Sequence, residues 1–376
     1  MTSDAITLPP AQRVRRWYAY LLVWRLHQLL GLFFAAVLVL LSATGSLLVV
    51  HQEIERVIEP DRHLVPTAEQ SKPARPLADL AQAVALRAPA GFRLFRLEPA
   101  GSPNETHKFL FLAGDGHTRW SAFVVPSSGE IRWSGLDQSL FTPWVLYLHM
   151  QLHAGRIGYF ITGFSGLALV LLGLSGIYLY RERLGALWRH PFRLRLGWRV
   201  ALSDLHKWTG IAALYFVIVL GLTGAFYVLA GLKAKPRAAV RAPFSMAQLP
   251  PLEPLLSVAS TRLPQTEILR LQFPAEANGA IVALLLHRDA PVWRKFSRVE
   301  FDANTGKLRA IRAAADNSAA DQFAAMLAPL HFGFYGATWV KWAYFFGGLS
   351  PGLLGLTGVL IWRLRSSAPP RSSGIR

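Results

Sequence analysis

The 376-residue chain combines 52% hydrophobic residues and a mean hydropathy of +0.29 with only 16% charged residues and a net charge of +18. This composition excludes an ordinary soluble globule and points to an integral membrane protein. It contains no cysteine, which excludes a thiolate iron–sulfur cluster, a Cys-x-x-Cys-His haem attachment, a disulfide framework and a redox dithiol; any haem is held non-covalently.

In chain order, residues 1–23 form a basic tail with Arg13, Arg15 and Arg16. A first transmembrane helix over 24–50 opens with LHQLLG at 26–31 and runs to Thr44 and Gly45. It is long enough to cross the hydrocarbon core and lacks the small-x-small site of a signal peptide. Residues 51–150 read as an outer domain. PLADLAQAVALR (76–87) has the period of an amphipathic helix, and FRLFRL (92–97), FLFL (109–112) and SAFVV (121–125) read as strands. VPSSGEIR (125–132) reads as a hairpin with Gly in its turn. A second span over 151–180 begins at LHAGRIG (152–158) and closes with LGLSGIYLYR.

The loop 181–205 carries Arg181, Arg183, Arg189, Arg193, Arg195 and Arg199 against Glu182. A third span over 206–230 opens within LHKWTG (205–210) and runs to Thr223 and Gly224. Residues 231–335 repeat the outer pattern: a weaker helical period at 246–260, then ILRLQF, ALLL and SRVEF, then the turn FDANTGKLR at 301–309. LHFGFYG (330–336) precedes a fourth span over 336–363 that closes with LGLTGVLIWR, and 364–376 is a second basic tail. The expected fold is thus membrane α-helical: four transmembrane helices in two repeats, with two small α+β outer domains. The Arg-rich short loop and both tails fall on one side, which the positive-inside rule makes cytoplasmic. Charge concentrated there reads as topology and not as a nucleic-acid surface.

The repeated histidines carry the chemistry. His27 and His206 stand at the inner ends of spans one and three, and as neighbours they would face each other across a haem b. Gly31 and Gly210, a turn further on, and Gly45 and Gly224, near the far ends, offer room for a flat macrocycle. His331 and either His149 or His153 form the corresponding outer pair. The local Leu-His-x-Gly-x-x-Gly motif equates His331 with His153, whereas the span glycines equate it with His149. The two alternatives are one helical turn apart and expected on one face. His51, about 36 Å along a helix from His27, reads as interfacial. His63, His107, His117 and His287 show no metal spacing, and His190 reads as solvated or as a propionate partner. Arg25, Lys207 and Arg156 are candidate propionate partners or membrane anchors; Trp208, Trp339 and Trp342 read as belt aromatics. Two His ligands per iron would leave no open position for oxygen chemistry, so the expected work is electron transfer. No Gly-x-Gly-x-x-Gly follows a strand, so the electron donor is expected to be a membrane quinol or a separate cytoplasmic reductase.

The Leu-His-x-x-x-Gly spans, the outer helix and hairpin with its Asp-Ala-Asn-Thr-Gly turn, and Leu-His-x-Gly-x-x-Gly before span four resemble the PepSY-associated transmembrane family. Within it, the four-span form is similar to the di-haem ferric-siderophore reductases of ferrioxamine uptake in Gram-negative bacteria. The resemblance implies a multi-pass protein of the bacterial inner membrane, in contact with lipid, with both termini cytoplasmic. It further implies two haem b groups and a ferric siderophore as acceptor, its iron loosened on reduction because hard oxygen ligands favour Fe(III). Leu148, His149, Leu152, Gly155 and Gly158 look like the family's Leu-His-x-x-Leu-x-x-Gly-x-x-Gly pattern, which favours His149 over His153 as ligand. Two competing readings are a haem-free regulatory or binding membrane protein and a siderophore transporter. The transporter is disfavoured because no span carries a mid-membrane acid and only Pro351 interrupts one.

Overall fold

The computed structural model describes residues 10–185, 193–233, 244, 246, 249–276, 278–335 and 337–366. The described chain runs α1 (Pro10–Val49), α2 (His51–Ile58), α3 (Leu77–Ala85), β1 (Phe92–Glu98), β2 (His107–Ala113), β3 (Arg119–Val124), β4 (Ile131–Leu136), α4 (Phe141–Gln151) and α5 (Gly155–Tyr180). It continues through α6 (Trp198–Ala212), α7 (Leu214–Lys233), α8 (Leu252–Arg262), β5 (Glu267–Gln272), β6 (Ala280–Leu286), β7 (Phe296–Asp302), β8 (Leu308–Arg312), α9 (Ala319–Phe332) and α10 (Thr338–Ser366). The described residues fall into two compact units: a helical unit within 1–49, 147–233 and 342–376, and a sheet unit within 50–146 and 234–341.

In the helical unit, α1, α5 and α10 are each long and apolar enough to cross a membrane. The third span differs from expectation. It is broken at Ala213 into α6 and α7, bent by 64°, so that His206 and Gly210 lie on one segment and Gly224 on the other. Ala213 is buried with Leu38, Leu169 and Val217, and Gly210, a weak point in the helix, lies three residues before the bend. The N-terminal tail also differs: from Pro10 it continues α1, whose 40 residues extend about 60 Å, twice the hydrocarbon thickness. Small residues set the helix contacts. A Cβ on Gly166 of α5 would come within 2.9 Å of the Gly221 carbonyl of α7, and one on Gly352 of α10 within 3.0 Å of Ser42 in α1. Backbones approach closely at these points, as packing without a hydrophobic drive requires.

The sheet unit joins the two expected α+β modules edge to edge. The eight strands form one antiparallel sheet in the order β4-β3-β2-β1-β5-β6-β7-β8. The halves join where Arg96 and Leu97 pair with Gln272 and Leu271, extended by the Phe273 N–H donating to the Phe95 carbonyl at 2.9 Å. Leu97 and Leu271 are fully buried at this seam, in one core with Leu80 and Val84 of α3, Leu252 and Leu255 of α8, and Phe109, Phe111 and Phe301. Fusing the halves converts two exposed strand edges into a central ladder. Both hairpins form as expected. Gly129 and Gly306 take φ of +77° and +69°, which only glycine adopts without strain. Asp302 Oδ1 accepts from the Asn304 and Thr305 N–H groups at 3.0 and 2.8 Å, the side-chain turn that Asp favours.

Candidate functional site

The helical unit brings His27 of α1 and His206 of α6 together: their ring centroids lie 6.3 Å apart with planes at 82°. A metal–nitrogen bond of about 2 Å on each side, with roughly 1 Å from each ring centre to its nitrogen, sets trans imidazole centroids about 6 Å apart. The observed pair fits that spacing.

Each ring is anchored on the neighbouring span in the same way. His27 Nδ1 is 2.8 Å from Ser175 Oγ of α5, and His206 Nδ1 is 2.8 Å from Thr357 Oγ1 of α10. Each hydroxyl donates its single hydrogen to a backbone carbonyl: Ser175 to Leu172 at 3.1 Å, Thr357 to Leu353 at 2.8 Å. It therefore meets the imidazole as an acceptor, and Nδ1 carries the ring proton. The Leu172 and Leu354 carbonyls also lie in hydrogen-bonding reach of His27 and His206, and a carbonyl only accepts. Both rings are thus held as the tautomer whose Nε2 lone pair is free, the form in which neutral His binds a metal.

Against each ring stands a glycine of the same partner span. A Cβ on Gly176 or Gly358 would meet the Cε1 of His27 or His206 at 3.7 Å. The glycines of the His-bearing helices are not against the rings. A Cβ on Gly31 would touch only Leu172, and one on Gly210 only Leu354, each at an ordinary 3.7 Å. They leave space on that helix face without touching the imidazoles.

His149, in the last turn of α4, repeats the anchoring at the other end of α1. Its Nδ1 is 3.0 Å from Thr44 Oγ1, which donates to the Leu40 carbonyl at 2.7 Å. A Cβ on Gly45 would sit 2.9 Å from His149 Cε1, so only glycine admits the ring there. His153 is elsewhere. The α4 helix ends at Gln151, and Leu152 and His153 turn through φ of +51° and +52° before α5 begins. His153 is exposed and does not share a helix face with His149, contrary to the spacing argument. Thr44 lies about 26 Å along α1 from His27, close to the thickness of the hydrocarbon core.

The remaining sequence candidates fall as follows. His331 stands at the end of α9, ahead of Gly333 in the left-handed conformation; Gly224 lies in α7. His51 opens α2, and Arg25 and Arg156 are exposed. Lys207 Nζ is 3.6 Å from Asp204, a buried acid that also holds Arg193 through both carboxylate oxygens at 2.9 and 2.7 Å. His190 lies outside the described residues. Asp204, Ser175, Thr357, Gly176 and Gly358 escaped the sequence reading. A signal for four of them was present: every span contains a hydroxyl residue followed by glycine, at 44–45, 175–176, 223–224 and 357–358.

Comparison with known proteins agrees with this architecture. An uncharacterized protein of Pseudomonas aeruginosa is 28% identical over 256 residues, covering 60% of this chain and 64% of its own length. The family model for the PepSY-associated TM region matches residues 24–365. The chain belongs to the PepSY-associated transmembrane family.

Proposed function

We propose that this protein is a di-haem b oxidoreductase of the bacterial inner membrane that reduces ferric iron, held in a siderophore, on the periplasmic side. The observation that carries this reading is the His27–His206 pair: 6.3 Å between centroids, with each Nδ1 tied to a hydroxyl of the adjoining span. His27 and His206 would hold one haem b. His149 would hold the other, and its partner follows from the sequence repeat, which equates it with His331. Haem iron, when bound, supplies one-electron chemistry, and ligation by two His residues leaves it no open site for oxygen or peroxide. The chain's own part is to hold ligands near both ends of one bundle and to fix their tautomers. The Arg-rich connection after α5 supports the orientation, with both termini cytoplasmic. Electrons would come from a quinol or a separate cytoplasmic reductase.

The anchoring hydroxyls give a first prediction. Ser175→Ala or Thr357→Val removes one of the two acceptors within reach of the ring N–H and leaves the backbone carbonyl, making the imidazole a poorer donor to Fe(III). Haem content should persist while the midpoint potential of that haem rises by tens of millivolts, tenfold in equilibrium being about 59 mV for one electron. Ser175→Thr should restore it. Potentiometric titration with optical detection reads the shift, and an unchanged potential in both variants removes the hydroxyls from the ligand sphere.

The reaction itself is tested in proteoliposomes loaded with a quinol and given external ferrioxamine, with Fe(II) trapped by ferrozine. Wild-type protein should reduce the iron, and His331→Ala should abolish reduction with loss of one haem. Full activity in His331→Ala would rule out the proposed outer site.

A further inference from the structure

The face of the sheet opposite α3 and α8 holds a cavity of about 360 Å³, lined by side chains that include Arg93, Phe95, Arg270, Gln272, Arg298 and Glu300. The register shows how the cations come together. Arg270 of β5 pairs with Leu284 of β6, which pairs with Arg298 of β7, and Arg298 stands opposite Arg312 of β8. One row across four adjacent strands thus carries three guanidinium groups, at the roughly 4.8 Å strand spacing. Like charges directly opposite each other cost stability.

The acids nearby do not offset the whole row. Glu300 is 3.3 Å from Arg312, and Glu98 is 3.2 Å from Arg96. Among the described residues, neither Arg270 nor Arg298 has an ion pair. Arg270 is half-buried, and burial, together with Arg96 and Arg298 nearby and only partly countered by Glu98, pushes its guanidinium below the ordinary value. The first half carries a matching row, in which Arg93 of β1 pairs with Leu112 of β2 and Leu112 with Arg119 of β3; the cavity lies where Arg93 of that row meets Arg270 and Arg298 of the other. Arg93, Arg270 and Arg298 line one cavity against a single lining acid, Glu300, an excess of positive charge that suits an anionic ligand.

We infer that this cavity binds a small ligand through its oxyanion groups. Arg270 and Arg298 would grip carboxylate or phosphate oxygens, bidentate in the manner of guanidinium, and Phe95 and Leu284 would contact apolar parts. Resting on the reductase reading, the ligand is an anionic, carboxylate-bearing ferric chelate such as ferric citrate, an acceptor of a different class from the hydroxamate ferrioxamine, retained in the sheet unit. Phospholipid headgroups offer similar oxyanions, so the test separates the two.

The experiment uses the detergent-purified full-length chain and isothermal titration with gallium(III) citrate, a redox-inert stand-in for the ferric chelate. Glycerol phosphate is titrated in parallel as the headgroup probe. Gallium citrate should bind saturably, and Arg270→Gln with Arg298→Gln should weaken it at least tenfold without changing haem content or circular dichroism. Lys72→Gln, on the exposed surface away from the cavity, should bind as wild type. Saturable binding of glycerol phosphate alone overturns the chelate assignment, and binding of neither probe overturns the site. Because gallium is not reduced, the outcome is independent of electron transfer. Reduction with no binding defeats this inference alone, whereas binding by a chain that lacks haem defeats the reductase reading and leaves the site standing.

Discussion

Replacing His206 by Ala is expected to strip one of two haem equivalents from the purified protein and to leave the other with its low-spin spectrum. The imidazole of His206 is held at three points: Nδ1 on Thr357, Cε1 against Gly358, and the ring 6.3 Å from its partner His27. Alanine removes the proposed ligand. Lys207, the adjacent cation, is already engaged with Asp204. His27→Ala should give the same loss, since the two rings would be equivalent halves of the proposed site. The effect should be all or none in haem stoichiometry, read by pyridine haemochrome, because His27 and His206 together would hold the haem and no covalent bond would retain it without one of them. Full haem content in both variants would falsify the pairing.

The second large effect separates His149 from His153. His149→Ala should remove the other haem equivalent and end ferric reduction in proteoliposomes, whereas His153→Ala should retain both haems and near wild-type rates. The asymmetry has a geometric cause. His149 is locked on Thr44 and pressed against Gly45, while His153 follows the end of α4 in a left-handed turn and is exposed. Gly45→Val supplies an independent check, since its added methyl groups would collide with the His149 ring and should mimic His149→Ala. Electron paramagnetic resonance of the oxidised protein would show the loss of one low-spin signal. The reverse result, with His153→Ala losing the signal and His149→Ala keeping it, would overturn the assignment.

Much of the architecture is legible in the sequence because its signals are local. Apolar length marks the spans, and Gly129 and Gly306 mark the hairpins at positions where the backbone demands positive φ. The repeat of His27 and His206 is visible because each heads an apolar segment with the same Leu-His-x-x-x-Gly pattern. Non-local features were not visible. The seam between the halves of the sheet rests on two residue pairs, Arg96 with Gln272 and Leu97 with Leu271, which no alternation within either strand announces. The bend at Ala213 comes three residues after Gly210, but glycines stand in every span, so its presence alone does not announce a break. Leu152 and His153 adopt a conformation rare for non-glycine residues, so a reading by helical spacing carried His153 onto the wrong face. The anchoring hydroxyls lie between these cases. Ser175 and Thr357 stand in conspicuous repeats, but their role depends on which helix packs beside which.

The central claim is that His27, His206, His149 and His331 hold two haems in one chain. A dithionite-reduced minus oxidised spectrum of the detergent-purified protein, with a pyridine haemochrome count, tests it most directly. The account predicts two b haems per chain. A protein folded and stable in detergent with no Soret band would contradict it and would favour a haem-free binding protein of the same family.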